Sequence, residues 1–228
     1  MSIKYLLFVG AVMLSGCMGR SASSEGNHSP GATAGDGYTQ YALGFRVYDH
    51  GSYRLLEVTD PWQQSQHVIF SYVLAPVGTP IPDSLATIPF IETPVQRVIA
   101  LSTTHVAMID QLGSAESIVG LSGSKFIYTR AIRERIEAGD LEDIGYGQGL
   151  DYETIVRLSP DLVFLYGVEG NVMTTLEKLS ELGIPAVFCG EYLEPHPLGK
   201  AEWIRFFSLF YEKEDQAASF FEDIDSAY

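Results

Sequence analysis

Asp151 to Gly167 reads DYETIVRLSPDLVFLYG, and this stretch decides the fold. Ile155, Val156 and Leu158 fall at helical spacing behind Asp151, whose carboxylate is placed to cap the helix. Pro160, lacking an N–H and crowding the turn before it, ends that helix. Leu162, Val163, Phe164 and Leu165 follow as an almost unbroken apolar run, which predicts a strand covered on both faces, as in a parallel sheet. Ligands of open parallel sheets sit beyond the carboxyl ends of the strands. Tyr166 and Gly167 therefore become candidate site residues.

The same unit repeats on either side. RVIAL from Arg97 precedes a helix from about Thr104 to Leu112 closed by Gly113, and SIVGL precedes a helix from about Thr129 to Ala138 closed by Gly139. Beyond Tyr166 a helix from about Val172 to Leu182 stops at Gly183, and Ile184 to Phe188 supplies a fourth apolar strand. Strands alternating with helices give right-handed crossovers and a parallel sheet. The expected fold class is α/β: a parallel sheet with helices on both faces, preceded by a small strand-rich segment.

That preface covers residues 38–96. Leu43 to Tyr48 and Tyr53 to Val58 are apolar and aromatic runs joined by Asp49, His50, Gly51 and Ser52, the composition of a hairpin turn. Val68 to Leu74 is a third strand candidate, and prolines 76, 80, 82, 89 and 94 predict an extended passage across a surface. Trp62 reads as a core aromatic in preference to a ligand-stacking one. His50 and His67 have no partner at metal-ligand spacing.

Two further segments precede the preface. Lys4 and the apolar run Tyr5 to Leu14 form a secretory signal over residues 1–17, too short to span a bilayer, which takes about 20 apolar residues. Its ending, Leu14, Ser15, Gly16 and Cys17, resembles a bacterial lipobox, which implies lipidation of Cys17. Residues 18–37, rich in Ser, Gly, Ala and Asn, predict a flexible tether. With a formal net charge of -15, the chain is a poor partner for nucleic acid or for anionic lipid by charge alone. The expected location is outside the cytoplasm, lipid-anchored to a bacterial membrane.

The strand ends of residues 97–200 converge on one rim. They carry Ser102, Thr103, Thr104 and His105 after the first strand and Ser122, Gly123 and Ser124 after the second. Tyr166 and Gly167 follow the third, and Gly190, Glu191 and Tyr192 follow the fourth. Tyr146, in the turn from Gly145 to Gly149, can approach the same rim. Short hydroxyls, glycines and tyrosines suit a pocket with flat apolar faces and a few hydrogen bonds. They do not make a catalytic set. GLSGS around Ser122 is not GxSxG, neither GxGxxG nor GxxxxGK occurs, and His105 has no HxxxH or HExxH partner. His105 reads as a satisfied histidine at a helix start, with a metal shared with His196 lacking positive support. Glu191 reads either as a contact to a cationic or metal-bearing ligand or as a solvated loop carboxylate. Cys189 reads as a small core hydrophobe. No resident cofactor and no metal site of the protein itself is expected.

The end of the chain, from Ala201 through Trp203, Phe206, Phe207 and Phe210 to Phe221 and Ile224, predicts a pair of helices, or one helix interrupted near Glu212 to Asp215. So much apolar surface must pack on something.

RVIALSTTHVAMID, SIVGLSG, DIGYGQGLDYETIVRLSPDLVFLYG and LEKLSELGIPAVF, in that order, resemble the amino-terminal lobe of the periplasmic substrate-binding proteins of ABC importers for iron complexes and vitamin B12. The resemblance covers about residues 97–228 and implies one lobe of a two-lobed binding protein with a helical connector, begun here by residues 201–228. It implies a second lobe of comparable size, so the expectation is a chain carrying the amino-terminal lobe only. It also implies a siderophore, haem or cobalamin ligand carrying iron or cobalt, as partners an ABC permease and its ATPase, and a periplasmic location for the anchored protein. Ser102 to His105, Ser122 to Ser124, Tyr146 and Tyr166 with its neighbours fall on ligand-facing loops of that family. Glu169 falls near the glutamate with which the lobe docks to the permease. The competing reading is a lipid-anchored α/β hydrolase using Ser102 or Ser122 with His105, an arrangement that an α/β sheet can host.

Overall fold

A computed structural model describes residues 37–167 and 172–228. Cys17, the signal segment, the tether up to residue 36 and Glu169 lie outside the described residues.

The strand-rich preface opens with the predicted hairpin. β1 (Phe45–Asp49) and β2 (Arg54–Thr59) pair antiparallel, Phe45 opposite Val58 and Asp49 opposite Arg54. In the turn, Gly51 takes a left-handed φ of 81° and donates its N–H to the Asp49 carboxylate at 2.7 Å. His50 stacks on Tyr53. β3 (Ile69–Pro76) continues the sheet antiparallel to β2. The proline-rich passage is not extended throughout, because it turns at Gly78 and in a 3-10 turn at Asp83–Leu85; its extended end pairs as a fourth strand, β4 (Phe90–Thr93), parallel to β3. Pro89 and Pro94 flank that strand and do not interrupt it, so every β4 residue keeps its N–H. β4 also lies at the sheet edge, where neighbouring prolines are tolerated.

The second sheet is wholly parallel. Its elements, in chain order, are β5 (Val98–Ala100), α1 (Thr103–Gln111), β6 (Ile118–Leu121), α2 (Arg130–Ala138), β7 (Glu142–Asp143), α3 (Tyr152–Leu158), β8 (Leu162–Tyr166), α4 (Val172–Glu181) and β9 (Ala186–Cys189). The order across the sheet is β7-β6-β5-β8-β9. Five strands replace the four expected. The extra one, β7, is a two-residue polar pairing at the edge, and no apolar run announces it. All of β5, β9 and Leu162 to Leu165 of β8 is buried, as strands covered on both faces require.

The organising stretch forms as its sequence dictates. The Asp151 carboxylate accepts the Thr154 N–H at 3.0 Å and caps α3, and Ser159 leaves the helix at a left-handed φ of 46°, one residue before Pro160. β8 then enters the centre of the sheet beside β5.

The chain ends in two helices, α5 (Pro197–Ser208) and α6 (Glu214–Ala227), and the break between them contains Glu212 at a φ of 55°. Lys213 ties this break to the end of α1 by donating from Nζ to the Leu112 and Gly113 carbonyls. α5 fills the space between the two sheets. Phe206 meets Phe45 of β1 at 5.5 Å between ring centroids, and Phe207 meets Phe164 of β8 at 5.0 Å. Each such fully buried phenylalanine contributes about 1.5–3 kcal/mol. The sheets also touch directly, where the edge strand β9 donates the Phe188 N–H to the Tyr72 hydroxyl of β3 at 3.2 Å and Phe188 packs on Phe70.

Candidate functional site

In the sheet order the chain begins at the centre with β5, moves outward to β6 and β7, then returns beside β5 as β8 and moves the other way to β9. Right-handed crossovers then place the helices of the two halves on opposite faces, and a crevice opens at the carboxyl ends of β5 and β8, where the direction reverses. The loop beginning at Ser102 and the loop beginning at Tyr166 flank that crevice.

Ser102 caps α1, its Oγ accepting the Thr104 N–H at 3.2 Å, with Thr103 and Thr104 in the first turn. Ser122 is buried, and its hydroxyl donates to the Gly145 carbonyl at 2.6 Å, which draws the 145–149 turn toward the end of β6. Gly123 turns at a left-handed φ of 76°, and Ser124 donates its N–H to Asp143 at 2.9 Å. Partial burial raises the Asp143 carboxyl, but the Ser124 hydroxyl and the backbone N–H groups of Ser124, Gly145 and Gly123 outweigh it and hold the group below the usual range. Tyr146 is 55% exposed on that turn. On the β8–β9 side of the crevice the rings of Tyr166 and Tyr192 meet edge to face at 5.1 Å, and burial pushes the Tyr192 phenol up to about 12.

The preface supplies a part of this rim that sequence reasoning missed. A Cβ placed on Gly167 would lie 2.7 Å from the Pro61 carbonyl oxygen and 2.9 Å from the Trp62 Cβ, and one on Gly190 would lie 3.6 Å from the Pro61 Cα. The link between β2 and β3 therefore rests against the loops after β8 and β9, and Gly167 is glycine because a backbone passes over it. Trp62 itself is partly buried on Phe70 and Phe188. The glycines were visible in the sequence, but their partner lies in another sheet.

Beneath the tyrosines sits a pair that the sequence kept apart. His105 in the first turn of α1 and Glu191 after β9 are both buried, with Nε2 of the one 3.7 Å from Oε1 of the other. The His105 ring is walled by Phe164, Tyr166 and Phe207. Neither imidazole nitrogen and neither carboxylate oxygen makes a hydrogen bond. His105 is thus not a satisfied helix-start histidine, and Glu191, 2% exposed, is not a solvated loop carboxylate. Each orphaned atom costs about 1–3 kcal/mol. The reason for the departure is tertiary: α5 lays Phe207 over the ring and closes off the solvent that either side chain would otherwise find. His196 is elsewhere, capping α5 with Nδ1 as acceptor of the Leu198 N–H and stacked on Tyr41.

No nucleophile–base pair forms among these residues. Ser102 is engaged as a cap and Ser122 with the Gly145 carbonyl, and His105 bonds to neither. Cys189 is a free thiol sealed in the core, and burial pushes its ionisation well above the usual thiol range.

Residues 98–228 match the profile of the family described as periplasmic binding protein. This chain belongs to the periplasmic binding protein family. The family is one of binding proteins, not of enzymes. An uncharacterized lipoprotein of Methanocaldococcus jannaschii is 32% identical over 142 residues, covering 59% of this chain and 34% of its own length. A vitamin B12-binding protein of Vibrio parahaemolyticus is 33% identical over 95 residues, covering 42% of this chain and 32% of its own. The chain spans about a third of the length of these curated relatives. Among solved structures, a periplasmic heme-binding protein from Pseudomonas aeruginosa superposes with a TM-score of 0.47 at 18% identity, over 58% of this chain and 44% of that one.

Proposed function

We propose that this periplasmic binding protein captures a small metal chelate or corrinoid, an iron–siderophore, haem or cobalamin-type ligand, and delivers it to an ABC permease and its ATPase. What supports the reading is that Ser102 and Tyr166 stand at the carboxyl ends of β5 and β8, where the sheet reverses direction, with Tyr192 edge to face on Tyr166, in a chain of this family. Flat aromatic faces beside a few hydroxyls suit a planar or multi-ring ligand. Ser122 to Ser124 and the exposed Tyr146 extend the same wall. Lipidation of Cys17 would hold the protein at the outer face of a membrane, and Glu169 would contact the permease.

The test is a fluorescence titration of the full chain with ferric siderophores, haemin and cyanocobalamin. Trp62 reports on the rim because it lies against Gly167. Saturable quenching by one class is expected, with Tyr166→Ala and Tyr192→Ala each weakening it roughly tenfold, the scale of one lost aromatic contact. Absence of saturable binding to all three classes would sink the proposal. For the anchor, the mature protein should carry a lipid mass increment that Cys17→Ala abolishes.

A further inference from the structure

We propose that the rim selects ligands carrying negative charge, through Lys125 and Lys200, which flank the crevice without a countercharge. The inference rests on the capture reading and narrows its ligand to an anionic chelate, one that bears carboxylates or phenolates.

The two lysines bracket the place where the sheet reverses. Lys125 lies in the short turn Ser124–Phe126 that follows β6, the neighbour of β5. Lys200 lies in the first turn of α5, and its Nζ donates to the Tyr192 carbonyl at 2.9 Å, just beyond the end of β9, the neighbour of β8. With neighbouring strands about 4.8 Å apart, the ends of β6 and β9 stand roughly 14 Å from each other.

The other charges around the rim are already engaged. The Asp143 carboxylate accepts the Ser124 and Gly145 N–H groups, and Asp151 caps α3. Glu191 is buried, and so is Glu194, which accepts from the Trp203 indole and from the Leu43 and Gly44 N–H groups. In the helix first turns, Arg130 pairs with Glu134, and Glu153 is drawn to Arg157. Lys178 on α4 pairs with Glu181, whereas neither Lys125 nor Lys200 makes an ion pair among the described residues.

The surroundings of Lys125 suit an aromatic anion. Its ammonium lies 4.9 Å from the centroid of the Phe126 ring, and Phe126 and Tyr128 are exposed. Tyr146, exposed as well, stands on the turn that Ser122 and Ser124 tie to the same loop. A flat ring can rest on these faces while its carboxylate or phenolate meets the ammonium in a charge-assisted hydrogen bond. In a chain with a formal net charge of -15, unpaired positive charge at one rim also steers anions to the crevice in preference to the rest of the surface.

The experiment titrates the full chain, by calorimetry, with two anionic probes, haemin and a ferric tris(catecholate), and two uncharged ones, cyanocobalamin and a neutral ferric trihydroxamate. Expected is tighter binding of an anionic probe than of either uncharged one, weakened by added NaCl. Lys125→Gln and Lys200→Gln should each weaken it roughly two- to fivefold, the scale of an exposed ion pair, while Lys125→Arg and Lys200→Arg retain it. Lys178→Gln should change nothing. An uncharged probe bound as tightly as the anionic ones would overturn the proposal and leave capture standing, and so would an anionic probe bound equally well by both glutamine variants. Should Lys200→Gln misfold on losing the Tyr192 carbonyl, Lys125→Gln and the salt dependence decide. Saturable binding of no probe sinks both readings. Metal-free protoporphyrin bound as tightly as haemin, with the same lysine dependence, would uphold the charge selection and remove the need for a chelate.

Discussion

The indole Nε1–H of Trp203 donates to Oε1 of Glu194 at 2.9 Å, with both side chains buried. The same carboxylate accepts the backbone N–H groups of Leu43 and Gly44, while the neighbouring Glu202 accepts those of Gln40, Tyr41 and Ala42. Two buried carboxylates on and beside α5 thus satisfy five consecutive N–H groups of the chain that enters β1. Charged acceptors make the stronger hydrogen bonds, and a strap without a sheet partner needs them.

Removing Glu194 should therefore unfasten this strap from α5. Glu194→Ala leaves three donors without their acceptor, and the expected loss is about 3 kcal/mol, given about 1–3 kcal/mol for each stranded group and partial rescue by water. Glu194→Gln, which keeps the shape and one oxygen, should lose less than half of that. Urea denaturation followed by tryptophan fluorescence measures both, and an alanine variant as stable as wild type would contradict the account.

Gly167→Ala should displace the link between β2 and β3 from the rim. Its Cβ would fall 2.7 Å from the Pro61 carbonyl oxygen, a backbone atom that cannot rotate away. A cost of about 1–3 kcal/mol is expected, the usual range for overpacking. Gly149→Ala is the control, because its Cβ meets nothing within 4 Å. Thermal melts of the two variants should separate clearly, the first lowered and the second close to wild type.

Asp151 should make stability fall on the acid side. The Thr154 N–H, followed by the Thr154 hydroxyl, holds the Asp151 carboxyl below the usual aspartate range. A folded pKa below the unfolded one means that the unfolded chain binds more protons between the two. This contribution is complete above about pH 4 and is lost as pH falls through the depressed folded value. Asp151→Asn still caps the helix but does not titrate. Its stability should lie below wild type near pH 7 and converge with it as pH falls below about pH 4, as read from urea midpoints across that range.

Cys189 should resist alkylation in the native protein. Its thiol is buried and its ionisation pushed upward, first by burial and then by the nearby Glu191, so little thiolate forms at neutral pH. Peptide mass spectrometry after iodoacetamide should find Cys189 unmodified under native conditions and modified in denaturant. Rapid native labelling would show that β9 opens.

Local chemistry was legible wherever neighbours in sequence decide it. The cap at Asp151, the stop before Pro160, the left-handed Gly139 and Gly183 and the turn at Gly51 all follow from the backbone preferences of single residues. The two-residue β7 escaped because Glu142 and Asp143 carry no periodicity. β4 escaped because its prolines suggested an extended passage, although they only frame it. At the rim, the sequence placed Ser102, Ser122, Tyr166 and Tyr192 at strand ends. It could not bring Pro61 over Gly167 or show that His105 faces Glu191, since those contacts join segments that no spacing rule connects.

By itself the sequence determined the α/β class, the parallel sheet and the strand ends that carry the candidate site, because apolar runs and glycine or proline stops act over a few residues. Only the tertiary structure decided that α5 is the shared core of both sheets, with Phe206 toward β1 and Phe207 toward β8. It also decided that this packing seals His105 and Glu191 away from water. Burial is a property of the whole surface removed from solvent, and an imidazole that would be hydrated in an isolated helix loses that hydration when a distant aromatic ring arrives.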